Sequence, residues 1–131
     1  TAMTGAYCPV SGYSISARVT TTSGAHFYGA NVETGANISM HAEALAIAAM
    51  VTALGPAARI ANVTTLARGD PGFPCGDCRQ KMNEFCTPRT DFTALTLAGA
   101  AQTVALAALL PYAFVVENLE NGRREIVSGG K

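Results

Sequence analysis

The stretch "RIANVTTLARGDPGFPCGDCRQ", residues 59–80, combines a strand, a loop and the start of a helix in one short segment. The β-branched run 59–67 predicts a strand, and the Gly/Pro-rich segment 69–74 predicts a loop. Residues 75–86 predict a helix that ends before Thr87-Pro88. The next strand-like run is 92–98, so the two strands flank one helix. A strand-helix-strand unit of this kind favours parallel pairing.

The rest of the chain predicts further strands and helices around this unit. Residues 13–21 alternate between apolar and polar side chains, which indicates a half-buried strand. The other predictions are strands at 26–32 and 113–118, a helix at 41–54 stopped by Gly55-Pro56, a short helix or apolar loop at 103–110, and a solvated tail from 118. This order predicts an α/β fold in which helices pack on a mixed sheet.

Length and composition limit the classes of function. The chain has 131 residues, 49% hydrophobic and 14% charged, which suits one folded domain spanning residues 1–131. The net charge of zero disfavours a protein that gathers nucleic acid electrostatically. No apolar run reaches transmembrane length, and the N-terminus lacks the pattern of a signal peptide. The four cysteines therefore predict metal binding or catalysis in a cytoplasmic protein.

Three residues together predict a zinc site. Cys75 and Cys78 are three positions apart at the start of a predicted helix, so both sulfurs share one face near the positive helix end. That position favours thiolates, which bind metal. His41 begins the earlier helix and supplies a third ligand of the right type. Three protein ligands leave the fourth position of Zn²⁺ free for water, as in catalytic zinc sites.

Glu43 is two positions after His41 and can reach that water without binding the metal. Zinc lowers the pKa of a bound water, and a carboxylate beside it can carry protons to a leaving amine. The pattern H-x-E followed by P-C-x-x-C is the signature of zinc-dependent nucleobase deaminases. Taken singly, His41 could be a helix-end residue and Cys-x-x-Cys a redox pair. Cys8 and Cys86 are interpreted as buried small apolar residues, with a fourth-ligand role left open.

The sequence resembles the cytidine deaminase family over nearly its whole length. The resemblance is carried by "AYCPVSGYSISARV", "GANVE", "HAEALAI", "PCGDCRQKMNEF" and "LLPYAF". It implies a three-layer αβα sandwich around a five-stranded mixed sheet. It also implies zinc ligands at His41, Cys75 and Cys78 and a proton-shuttling Glu43.

The resemblance further implies the residues that bind substrate. Asn31 and Glu33 match the pair that holds the ribose hydroxyls, and Tyr13 stands where the family usually has a Phe that packs on the pyrimidine. The backbone of Ala42 matches a contact to the edge of the base. Phe114 matches an aromatic residue that reaches a neighbouring subunit's active site, which implies a homotetramer.

The activity implied is hydrolytic deamination of cytidine or deoxycytidine to uridine or deoxyuridine with release of ammonia. The chain departs from the family pattern at Thr34, where Asn is common, and few residues precede "AYCP". Two alternatives stay open. One is a deaminase of a modified cytidine or of an antibiotic such as blasticidin S. The other is a non-catalytic module stabilised by zinc, which would recruit Cys8 or Cys86.

Overall fold

The structure is a computed structural model that describes residues 5–35 and 39–127, without the side chains of 125–127. The elements are β1 (Ile15–Thr21), β2 (His26–Ala30), β3 (Val32–Glu33), β4 (Ser39–Met40), α1 (Ala42–Leu54), β5 (Ile60–Ala67), α2 (Gly76–Glu84), β6 (Cys86–Thr96), β7 (Ala101–Ala105), α3 (Leu106–Leu109) and α4 (Val116–Val127).

A five-stranded mixed sheet forms the centre of the molecule, with strand order β2-β1-β5-β6-β7. β5 and β6 are parallel, with Thr64 opposite Thr93, while the other neighbouring pairs of the sheet are antiparallel. The parallel pairing predicted for the strand-helix-strand unit is therefore confirmed. The short strands β3 and β4 form a separate antiparallel pair.

One face of the sheet packs against helices α1, α2 and α3. Side chains alternate along each strand, so that Val19, Val63 and Phe92 are buried on this face. α1 packs on β1 and β2, α3 packs on β6 and β7, and α2 lies between α1 and α3. Met50 of α1 and Met82 of α2 complete the core. Both helices are thereby held with fixed positions relative to the sheet.

The opposite face is partly exposed and more polar. Arg18, Thr64 and Thr93 lie in one register row across β1, β5 and β6, and Thr93 is hydrogen-bonded to Thr103 of β7. Among the helices described, none combines the length and apolarity needed to cross a membrane.

The prediction of a strand at 113–118 is wrong, because helix α4 begins at Val116. Asn118 accepts a hydrogen bond from the backbone N–H of Val115 through Oδ1, and its own N–H donates to the Val115 carbonyl. This arrangement caps the helix start and outweighs the β-propensity of the Phe-Val-Val run. The predicted tail is also helical as far as Val127, and residues 128–131 lie outside the described residues.

The fifth strand is instead β7, in the segment interpreted as a short helix or apolar loop. Gly99 has a positive φ of 94° and makes the tight turn after β6. The Ala100 N–H donates to Thr96 Oγ1, which closes this turn and lets residues 101–105 return alongside β6. Only residues 106–109 of that segment are helical.

Candidate metal centre and active site

His41 and Cys75 occupy the same position on two neighbouring helices. Each is the N-cap residue, with extended backbone at φ −79°, ψ 148° for His41 and φ −68°, ψ 169° for Cys75. In the described structure, neither side chain makes a capping hydrogen bond to its own helix. Cys78 follows in the first turn of α2 and is fully buried. The side-by-side packing of α1 and α2 therefore brings two N-cap side chains and Cys78 to one point.

The three predicted ligands form a compact cluster. His41 Nδ1 lies 3.3 Å from Cys75 Sγ and 3.3 Å from Cys78 Sγ. All three ligand atoms lie within 4.8 Å of one another. Tetrahedral zinc with Zn–N of about 2.0–2.1 Å and Zn–S of about 2.3 Å requires N···S separations of roughly 3.6 Å. The observed spacing therefore fits zinc with only small adjustments, and the donor set of one imidazole and two thiols is one that zinc prefers.

The surroundings of Cys78 also favour a bound cation. Burial raises the pKa of the Cys78 thiol, and the nearby Glu43 carboxylate and Cys75 raise it further. The sequence predicts that the helix N-terminus favours thiolate, but at Cys78 burial and the adjacent carboxylate outweigh that effect. A bound divalent cation would instead favour the thiolate of Cys78, because the cation is the largest local charge and deprotonates a coordinating thiol. The buried pair of Cys78 and Glu43 is thus an environment suited to a metal ion.

Glu43 is in the first turn of α1 and is only 4% exposed. Its carboxylate lies against the Cys78 thiol, yet it is not a member of the His41–Cys75–Cys78 cluster. A buried carboxylate beside a metal site can exchange protons with a water there. Its position is consistent with the predicted role outside the coordination sphere.

A cavity of about 280 Å³ opens beside the cluster. Six of the predicted site residues line it, namely Tyr13, Asn31, Glu33, His41, Glu43 and Cys75. The lining also includes Ser11, Ile15, Ser39 and Phe73, which the sequence interpretation did not identify. Phe73 could have been suspected because it precedes "PCGDC", and Ser11 because it lies in the segment of the resemblance that holds Tyr13.

Asn31 and Glu33 line this cavity and also hold the loop that precedes β1. Asn31 Oδ1 accepts the N–H of Ile15, and Asn31 Nδ2 donates to the carbonyl of Tyr13 at 2.8 Å. Glu33 Oε1 accepts the N–H groups of Val10 and Ser11 at 3.1 and 3.0 Å. The two residues therefore position one wall of the cavity, whatever else they bind.

The same contacts keep Glu33 ionised. The side-chain hydrogen bond from Ser11, followed by that from the Ser11 backbone, holds the pKa of Glu33 below its ordinary value of 4.5. An ionised carboxylate that lines the cavity is an acceptor for hydroxyl groups. Glu33 is therefore charged over the whole physiological pH range.

Three predicted residues, namely Cys78, Ala42 and Phe114, are outside the cavity lining. Ala42 is fully buried at the first helical position of α1, between the predicted ligand His41 and Glu43. Phe114 is 57% exposed and, among the described residues, does not line the cavity of its own chain. Its carbonyl accepts hydrogen bonds from Gln80 Nε2 and Asn83 Nδ2 of α2, so its backbone is fixed while its ring is exposed.

The remaining cysteines are elsewhere. Cys8 is half-buried and its thiol donates to Asn31 Oδ1, while Cys86 donates to Asn83 Oδ1. Within the described parts of the chain, neither belongs to the metal-ligand cluster. The cluster therefore has three protein ligands, which is the number found in catalytic zinc sites.

Comparison with known proteins agrees with this geometry. Residues 1–94 match the family described as the cytidine and deoxycytidylate deaminase zinc-binding region. The chain is 33% identical over 119 residues to a cytidine deaminase of Halalkalibacterium halodurans, covering 89% of each protein. It is 31% identical over 115 residues to one of Sporosarcina psychrophila, covering 87% of this chain and 84% of the relative.

Solved structures give the same result. The cytidine deaminase of Burkholderia pseudomallei superposes with a TM-score of 0.80 at 30% identity, covering 86% of this chain and 91% of that chain. The cytidine deaminase of Mycobacterium leprae superposes with a TM-score of 0.69 at 30% identity, covering 84% and 88%. The similarity thus extends over the sheet, the metal cluster and the cavity together.

Proposed function

The chain belongs to the cytidine and deoxycytidylate deaminase family, and we propose that it deaminates cytidine and deoxycytidine by hydrolysis. The products are uridine or deoxyuridine and ammonia. The observation that carries this proposal is the His41–Cys75–Cys78 cluster with the buried Glu43 against it, at one end of a cavity. This set of residues has the composition and order of the zinc-dependent deaminases.

His41, Cys75 and Cys78 would hold the zinc ion. Zinc bound there would supply a Lewis acid that makes water a nucleophile at neutral pH. Glu43 accepts a proton from the water that attacks C4 of the pyrimidine and delivers it to N3. It then takes the remaining proton from the new C4 hydroxyl and transfers it to the amino group, which leaves as ammonia as the C4–N bond breaks and the C4 carbonyl forms. Burial of Glu43 keeps bulk water away from these transfers.

Residues that line the cavity, together with the neighbouring Ala42, recognise the nucleoside. Glu33 accepts hydrogen bonds from the ribose hydroxyls, and Asn31 orients the adjacent wall while offering its remaining amide hydrogen to the sugar. Tyr13 packs on the pyrimidine ring, and the backbone of Ala42 contacts the edge of the base. A free nucleoside fits the cavity of about 280 Å³ better than a nucleic-acid chain does, and the chain's zero net charge agrees with a small-molecule substrate.

The two alternatives are not favoured. A purely structural zinc site would need a fourth protein ligand, and both candidate thiols, at Cys8 and Cys86, are hydrogen-bonded to asparagines instead. An antibiotic deaminase is less well supported than a cytidine deaminase, because the relatives compared above are named cytidine deaminases.

The assembly is proposed to be a homotetramer in which a neighbouring subunit completes each site. In support, Phe114 belongs to a group of exposed apolar side chains that includes Tyr112, Val116 and Leu119. Exposed apolar groups of this kind mark surfaces that bind other proteins. Two side chains of α2 donate hydrogen bonds to the Phe114 carbonyl, and the N-terminal end of the same helix carries Cys75 and Cys78. An enzyme with four free cysteines, two of them metal ligands, suits the reducing cytoplasm.

The decisive experiment compares wild type with Glu43→Gln. Both proteins are assayed for ammonia release from cytidine, deoxycytidine, CMP, cytosine and blasticidin S, and zinc is measured in both. Wild type should act on the two nucleosides, and Glu43→Gln should retain one zinc per chain with turnover lowered by about 10²–10⁴-fold. Loss of zinc from Glu43→Gln would make Glu43 a ligand and contradict the mechanism. Activity on blasticidin S alone would contradict the substrate assignment.

A further inference from the structure

Gly72 is a buried glycine in the loop between β5 and α2, three residues before the ligand Cys75. Its carbonyl accepts a hydrogen bond from Thr65 Oγ1 at 2.7 Å, in a buried position. Gly72 is not among the glycines with positive φ. Backbone conformation therefore does not explain why glycine is present at this position. The close packing of neighbouring side chains offers another explanation.

A side chain at position 72 would meet three neighbours. A Cβ there would lie 2.9 Å from Ile15 Cδ1, 3.2 Å from Ala67 Cβ and 3.3 Å from the Tyr13 hydroxyl oxygen. All three distances are shorter than ordinary van der Waals contacts, which begin at about 3.5 Å between carbons. A Cβ at position 72 therefore fits only if these neighbours, among them the end of the Ile15 side chain and the Tyr13 hydroxyl, shift slightly.

Two of these neighbours, Ile15 and Tyr13, line the nucleoside cavity, whereas Gly72 does not. Gly72 therefore lies behind the cavity wall. A larger residue at position 72 would displace the side chains of Tyr13 and Ile15 toward the cavity. The Tyr13 hydroxyl is the atom that distinguishes this residue from a phenylalanine, and it is the atom that approaches Gly72.

The loop is held more firmly than Tyr13. Thr65 fixes the Gly72 carbonyl, and the ring of Phe73 packs against the core ring of Phe92 with centroids 5.9 Å apart. Tyr13 is 44% exposed, so its ring can move at lower cost. A methyl group added at position 72 should therefore displace Tyr13 before it displaces the loop that leads to Cys75.

We propose that Gly72 and Tyr13 form a size-coupled pair that sets the width of the nucleoside cavity, with Gly72 as a positioning residue. The absence of a side chain at position 72 leaves room for the Tyr13 hydroxyl, and so allows a tyrosine to stand in the cavity wall. This inference rests on the proposed function, because it assigns Tyr13 to the pyrimidine ring.

The test is a double-mutant cycle of Gly72→Ala and Tyr13→Phe, measured by KM and kcat for cytidine and by calorimetric binding of uridine. With Tyr13 intact, Gly72→Ala should lower kcat/KM by about 10- to 100-fold, mainly through KM, and should weaken uridine binding similarly. When Tyr13→Phe is already present, the same substitution should cost about fivefold less, because the hydroxyl contact is gone and only the contacts at Ile15 and Ala67 remain. Zinc content should stay at one per chain in every variant.

Two further variants sharpen the cycle. Gly72→Ala with Ile15→Val removes the contact at Ile15 Cδ1 and should recover part of the loss. Gly122→Ala is the control, because it adds the same methyl where nothing lies within 4 Å.

The outcomes separate the coupling from the proposed function. Equal penalties for Gly72→Ala with and without Tyr13→Phe would overturn the coupling, and so would loss of zinc or of folding in both cases. These results leave an active wild type and the proposed function intact. A wild type that deaminates no pyrimidine nucleoside would instead overturn the proposed function and this inference with it.

Discussion

Gly29 of β2 is the glycine whose substitution should most directly disturb the metal centre. A Cβ at this position would lie 2.4 Å from the Ala42 carbonyl oxygen, 2.7 Å from the Ala46 nitrogen and 2.9 Å from Leu45 Cβ. Two of these three atoms are backbone atoms of α1, which cannot rotate away as a flexible side chain would. Gly29→Ala therefore forces the start of α1 away from the sheet.

The distances set the size of the effect. Relief of the contact at the Ala42 oxygen needs a shift of about 1 Å, since ordinary contact begins near 3.5 Å. The displaced turn carries His41 and Glu43. A misplacement of about 1 Å can lower activity about 100-fold, and overpacking typically costs about 1–3 kcal/mol of the free energy of unfolding. At roughly 4 °C per kcal/mol for a domain of this size, the unfolding midpoint should fall by roughly 4–12 °C.

The assay measures zinc content, thermal unfolding and cytidine turnover for Gly29→Ala, well below its unfolding midpoint. We expect a folded protein with weakened zinc affinity and kcat/KM lowered by about 100-fold. The control Gly122→Ala adds a methyl in open space within α4 and should leave turnover unchanged. Wild-type turnover and zinc affinity in Gly29→Ala would refute the reasoning, because the close approach of β2 to α1 would then have no part in positioning the site.

Three other predictions concern the metal, the cavity wall and the assembly. Cys75→Ser should lose zinc, as measured by metal analysis, and should unfold at a lower temperature. Added zinc should not restore its unfolding temperature, whereas it should restore that of wild type from which the zinc has been removed by a chelator. Because the pKa of Glu33 is lowered from 4.5, its bonds to Val10 and Ser11 stabilise the protein above that pH and this stabilisation is lost as the pH falls below it. Glu33→Gln should therefore show a weaker dependence of the unfolding midpoint on pH in that acid range, and an unchanged dependence would contradict the role of these bonds. Glu33→Gln should also lower kcat/KM for cytidine by about 10- to 100-fold. Phe114→Ala should keep zinc but lose turnover. If Phe114 acts on a neighbour's site, mixing this variant with the inactive Glu43→Gln should restore part of the activity. A fully active monomer would contradict the proposed assembly.

The metal cluster was predictable because its spacing is local and its chemistry is narrow. Cys75 and Cys78 are three positions apart at a helix start, so their common face follows from helix geometry alone. His41 could be added because only a few residue types bind zinc. The prediction still needed an assumption that two helix N-termini meet, and the packing of α1 beside α2 satisfies it.

Features that depend on tertiary contacts were not predictable in this way. The run 113–118 has high β-propensity, but its helix is fixed by the Asn118 side chain, which accepts a hydrogen bond from the residue before the helix. Residues 101–105 are a strand because they pair with β6, and an alanine-rich sequence gives little indication of that. The close packing around Gly29 and Gly72 involves atoms of segments distant in the chain.

The uncapped helices give a physical reason for the central place of the metal in this fold. A side-chain hydrogen bond at the N-cap stabilises a helix by about 0.5–2 kcal/mol. His41 and Cys75 are the N-cap residues of α1 and α2 and make no such bond, so both helices lack this stabilisation. Zinc coordination in small domains contributes about 10–16 kcal/mol, which is far larger than both losses together. Instead of capping their own helices, the side chains of His41 and Cys75 lie next to each other between the starts of α1 and α2. Glu43, in the first turn of α1, is then buried next to the metal because the helix that begins at His41 also carries it. The contact between the two helix starts thus positions both the proposed ligands and the carboxylate proposed to move protons.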